Sequence, residues 1–105
     1  MKKITIDEFL AWITSPDNHE KIWELVDGVI LQKPIATKIN SIVAGYIGTF
    51  LNGYVIPAKC GYVTCVTGGY QLTNYDVFMP KVAYIHRERV DGLEGILFDV
   101  APDLA

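Results

Sequence analysis

Ile39-Asn40-Ser41-Ile42-Val43-Ala44-Gly45-Tyr46-Ile47-Gly48-Thr49-Phe50-Leu51 carries the strongest periodic signal in the chain. Its apolar residues Ile39, Ile42, Val43, Tyr46, Ile47, Phe50 and Leu51 recur at three- and four-residue steps, the spacing that gathers them on one face of an α-helix. Asn52-Gly53 follows and predicts the helix stop. Gly45 and Gly48 each cost about 1 kcal/mol relative to alanine inside a helix, which predicts a surface that a sheet or second helix approaches closely.

Working outward, Thr5-Ile6-Asp7-Glu8 has the form of a capping box, with Thr5 as cap and Glu8 three residues on. Ile6, Phe9, Leu10 and Ile13 then repeat at helical spacing until Pro16 ends this first helix. Lys21 to Leu25 alternates and predicts a strand running up to Val26, Asp27-Gly28 a two-residue hairpin turn, and Val29 to Leu31 the returning strand, closed by Lys33-Pro34. Downstream, Tyr62 to Val66 and Tyr70 to Leu72 flank Thr67-Gly68-Gly69 and predict a hairpin. Val77 to Met79 and Val82 to Ile85 flank Pro80. His86 to Glu94 reads as an exposed loop, Ile96 to Val100 is apolar again, and Ala101-Pro102-Asp103-Leu104-Ala105 resembles the entry to a further strand. The order of elements predicts an α+β fold in which a mixed β-sheet packs against the long helix.

The length of 105 residues allows one domain, spanning residues 1–105. Half the residues are hydrophobic and a fifth are charged, which excludes a disordered chain. A net charge of -3 argues against a general nucleic-acid coat, which needs clustered Lys and Arg, but leaves room for a nuclease with a local basic groove. Met1-Lys2-Lys3 is basic, yet Asp7 and Glu8 interrupt the apolar stretch a secretory signal requires. The run Ser41 to Leu51 is too short for a membrane span. A cytoplasmic protein without a membrane partner is the expectation. Cys60 and Cys65, with only His19 and His86 as further soft ligands, do not complete a zinc set and read as two reduced thiols.

Glu24-Leu25-Val26-Asp27-Gly28 resembles the E-L-x-D-G motif near the start of the Uma-type restriction endonuclease family, a branch of the PD-(D/E)XK nuclease superfamily. Asn40 to Leu51 is similar to that family's long helix, with Asn40 near the place of a frequent histidine. Gly61-Tyr62-Val63, Gly69-Tyr70-Gln71-Leu72 and Met79-Pro80-Lys81-Val82-Ala83-Tyr84-Ile85 follow its strand order. Ala101-Pro102-Asp103-Leu104-Ala105 is similar to its A-P-D-L-x segment. The resemblance covers nearly the whole chain, and it is to the N-terminal portion of the family, so the domain reads as truncated and the fold as a partial restriction-endonuclease-like one. Each motif is weak alone; their order and spacing carry the likeness.

The resemblance implies Mg²⁺-dependent hydrolysis of DNA phosphodiesters, with carboxylates holding the metal and a lysine steadying the attacking water. It points to Glu24 and Asp103 as metal ligands and to Lys81 as the residue at the position of the family's aspartate. Lys81 is the departure that matters, because the family pattern is Pro-Asp and this chain has Pro80-Lys81. A cation there inverts the charge where a carboxylate should bind metal. The family also continues beyond the position of Ala105 into a V-E-V strand, a catalytic helix and a basic residue. These departures predict a catalytically incomplete nuclease. Beside the functional readings stand plainer ones: Glu24 as a solvent-facing strand residue, Asp103 and Asp27 as turn formers, His86 with Arg87 and Arg89 as a solvated loop, and the tyrosines as core and half-buried sheet positions. The alternative is a non-enzymatic module that forms homo-oligomers through an open strand edge near Val82 to Ile85.

Overall fold

The computed structural model describes residues 2–65 and 68–105. Helix α1 (Ile6–Thr14) starts at the predicted capping box: Thr5 Oγ1 accepts from Glu8 N at 3.3 Å, and Thr5 N donates to Glu8 Oε1 at 3.1 Å. Strands β1 (Trp23–Val26) and β2 (Val29–Gln32) form the predicted hairpin. Its two turn residues, Asp27 and Gly28, have φ of 47° and 78°, the left-handed pair that a tight hairpin requires and that Asp-Gly adopts readily. After helix α2 (Lys38–Ala58) come β3 (Gly61–Cys65), β4 (Gly69–Thr73), β5 (Asp76–Phe78), β6 (Val82–His86), a 3₁₀ turn at Arg87–Arg89, and the short β7 (Leu97–Phe98).

These strands form two sheets. One has the order β2-β1-β5-β4-β7, antiparallel except for the parallel β4–β7 pair, so it is mixed. The other is the antiparallel pair β3–β6. Phe9 of α1, Leu25 of β1, Val77 of β5 and Met79 make one core cluster; Tyr70, Ala83 and Ile85 make a second. Helix α2 packs against β3 and β6.

Three expectations change. Strands β3 and β4 do not pair as a hairpin: β3 aligns all five of its residues with β6, and β4 pairs with β5 across a tight Asn74-Tyr75 turn. Val66 and Thr67, part of the expected turn, lie outside the described residues. Helix α2 does not stop at Asn52-Gly53 but runs on to Ala58, with Pro57 in its last turn and Lys59 at φ 54° as the left-handed cap. Val55 is buried two residues beyond Gly53, and that burial outweighs the roughly 1 kcal/mol a helical glycine costs. At 21 residues and a mean hydropathy of 1.2 over its most apolar window, α2 is long and apolar enough to cross a membrane by length and composition, which Ser41 to Leu51 alone is not. Finally, among the described residues a Cβ added at Gly45 or Gly48 would meet no atom within 4 Å, so neither glycine serves a close approach to them.

Candidate functional site

Leu25 faces the first core, so the alternation of β1 turns Glu24 to the opposite face of the sheet. The β1–β5 pairing then brings its carboxylate to the end of β5, where Glu24 Oε2 accepts from Met79 N at 2.8 Å. Lys33, just past β2, donates its ammonium to the carbonyl of the same residue, Met79. Lys33 Nζ lies 3.9 Å from Glu24 Oε2, and both side chains are more than four-fifths buried. Together the two side chains satisfy both peptide groups of Met79, at the point where the chain leaves the five-stranded sheet for β6. Immediately after this clamp come buried Pro80 and half-buried Lys81. Lys33, Pro80 and Lys81 line a cavity of about 730 Å³, together with apolar residues of α2 and Leu104.

Asp103 sits elsewhere. Its Oδ2 accepts from His86 N at 2.7 Å, and its Oδ1 pairs with Arg89 at 2.9 Å. The His86 peptide N–H, and after it the Arg89 guanidinium, hold its carboxyl below the usual carboxylate range. A depressed native pKa means that the contribution of this pairing is present above the unfolded-state value and is lost as pH falls through the native one. Asp103 therefore pins the 3₁₀ turn to the last residues of the chain, next to the antiparallel bridge between Tyr84 and Leu104.

Of the three sequence-predicted site residues, Glu24 and Lys81 are brought to the same corner, and Asp103 is engaged by separate partners. Among the described residues no three His, Cys, Asp or Glu side chains gather where they could hold a metal ion. Mg²⁺ asks for near-octahedral oxygen ligands. The corner offers one carboxylate, already bonded to a peptide N–H and facing a lysine, so its residues do not fit the metal that the resemblance implies.

Lys33 is the member of this corner that sequence reasoning missed, having read it only as a strand terminator. The signal was available. A hairpin turning at Asp27-Gly28 sets Glu24 opposite Leu31, and Lys33, two residues on, falls on the same face as a diagonal neighbour.

The remaining candidates settle into local contacts. Asp27 is a turn former whose carboxylate pairs with Lys3 at 2.7 Å. Arg87 donates to Lys59 O at 3.2 Å, and His86 Nδ1 lies 3.3 Å from Glu88 N. Tyr70 is a core residue stacked on Phe98, but Tyr46 and Tyr54 of α2 stand well exposed, against the expectation of core or half-buried sheet positions.

Comparison with protein families matches residues 6–105 to Uma2, described as "Putative restriction endonuclease". Among solved structures the chain is similar to one described as a "putative nuclease belonging to DUF820" from Anabaena variabilis, with a TM-score of 0.78 and 23% sequence identity. That match covers 95% of this chain and 55% of the other, so this chain spans about half the length of that relative. At this identity the likeness concerns the fold, and it bears out the mixed α+β, nuclease-like architecture. No curated protein matches. With the family match running from α1 through the Glu24 strand and the long helix to the Asp103 segment, this chain belongs to the Uma2 family.

Proposed function

We propose that this chain carries the framework of a DNA endonuclease and does not by itself hydrolyse DNA. The observation that carries this reading is the clamp at Met79. Glu24, the residue that matches the family's E-L-x-D-G motif, spends its carboxylate on Met79 N and faces Lys33. A second lysine, Lys81, follows where the family pattern has aspartate. Cleavage of a phosphodiester needs an activated water and stabilisation of charge that develops on phosphate oxygens. Lys81, half-buried in the cavity wall, suits the second task; Lys33 does not, since its ammonium is held by the Met79 carbonyl and Glu24. Nothing in the corner suits the first, because the single carboxylate is hydrogen-bonded as an acceptor and has a structural duty. DNA, on this reading, is the ancestral partner class, and the corner retains one cationic group, Lys81, for its backbone but no machinery for cutting it.

The test is a cleavage assay on supercoiled plasmid with Mg²⁺ or Mn²⁺. No nicking above a no-protein control is expected. Metal-dependent nicking that disappears in Glu24→Ala would contradict the proposal.

A further inference from the structure

Between Ile39 and Ala58, α2 contains no Asp, Glu, Lys, Arg or His. One side of the helix is turned inward: Gly48 and Val55 are buried and Leu51 is half-buried, and the helix as a whole packs against β3 and β6. Among the described residues nothing covers the other side. Phe50 is 82% exposed, Tyr54 74%, Tyr46 72% and Ile39 63%, and Ile42, Val43 and Ile47 are each close to half exposed. At 3.6 residues per turn, these seven side chains fall within roughly 140° of helix surface along about 23 Å of axis. Such a stripe is far outside the scattered apolar exposure of a folded surface.

We infer that this stripe is an interface with a second copy of the same chain, formed by two α2 helices packed antiparallel about a twofold axis. The available area suits it. An aromatic side chain has on the order of 150–250 Å² to bury. The three aromatics with the four aliphatics thus offer roughly 800 Å² per partner, the standard size of a stable interface. The chemistry suits it as well. An uncharged face meets its own copy without like-charge conflict, and the antiparallel arrangement opposes the two helix dipoles and keeps Lys38 of one subunit away from Lys38 of the other. A lipid surface is a poorer occupant, because the net charge is -3 and the far side of α2 is seated on β3 and β6.

The twofold fixes a register. An axis passing between Tyr46 and Ile47 sets Phe50 against Val43 of the partner subunit and Tyr54 against Ile39 of the partner subunit, each pair occurring twice. The inference does not depend on the proposed loss of cleavage, since it rests on α2 alone.

Sedimentation velocity at micromolar concentration tests it, with far-UV circular dichroism as a check on folding. The wild-type chain is expected to sediment as a dimer. Phe50→Glu and Val43→Lys, both at exposed positions, are each expected to weaken association by about two orders of magnitude. The double variant Val43→Lys/Phe50→Glu places opposite charges across the axis twice and is expected to recover the dimer. A wild-type monomer, whether free or partitioned into phosphatidylcholine vesicles, overturns the inference. So does a dimer indifferent to Phe50→Glu, and so does a folded double variant no more associated than the single ones.

Discussion

Replacing Phe9 with alanine is expected to cost about 3–5 kcal/mol, the range for emptying a fully buried aromatic site. Phe9 is 0% exposed and joins α1 to Leu25, Val77 and Met79, with Ile13, Ile22 and Trp23 packed around them. That cluster holds β1 against β5, and so sets where Glu24 meets Met79. Small domains have about 5–15 kcal/mol in total, so the variant should lose a large share of its stability. Urea denaturation followed by tryptophan fluorescence checks it, since Trp23 borders the cluster and Trp12 packs edge-on to Trp23 at 5.7 Å. A midpoint equivalent to a loss below about 1 kcal/mol would show that the site collapses without a cavity, contrary to the packing described.

Gly61→Ala is the second large effect, and it comes from overpacking. Gly61 opens β3 and pairs with His86 at the end of β6. A Cβ there would fall inside contact distance of the Ile85 carbonyl oxygen, and would lie 2.8 Å from Tyr84 Cε1 and 2.9 Å from its hydroxyl. A flexible side chain can move aside; the Ile85 carbonyl belongs to the paired strand and cannot without opening the β3–β6 ladder. A cost at or above the upper end of the usual overpacking range, about 3 kcal/mol, is expected. Because β3 and β6 seat α2, the loss should appear both in the denaturation midpoint and as faster amide exchange in Tyr62, Val63 and Tyr84. A variant within about 0.5 kcal/mol of wild type would mean that the ladder has room that its register does not show.

Local rules made the nearby structure legible. Thr5 and Glu8 wrote the start of α1, Asp27-Gly28 wrote the first hairpin, and the spacing from Ile39 to Leu51 wrote the body of α2. What escaped was non-local. Nothing in Gly61 to Cys65 says that its partner is Val82 to His86 rather than the nearer Gly69 to Thr73, because the pairing is set by contacts distant in sequence. The end of α2 escaped for the same reason: Asn52-Gly53 is a sound local stop, overridden by Val55 finding a buried seat. At the candidate site, Glu24 and Lys81 were legible from motif and departure. Lys33 was not, because its importance arises from a diagonal across the hairpin and from a peptide group that lies 46 residues away. The uncovered stripe on α2 was half legible: its apolar period was plain, but a period does not say which side a sheet will cover.

The Glu24 corner holds a structural ion pair with Lys33 where the family resemblance implies metal-binding carboxylates. Titration with Mn²⁺, read by water-proton relaxation on the wild-type chain and on Glu24→Gln, tests it most directly. Identical, non-saturating curves are expected for both up to millimolar Mn²⁺. One Mn²⁺ bound per chain by the wild type and lost in a folded Glu24→Gln variant would contradict it.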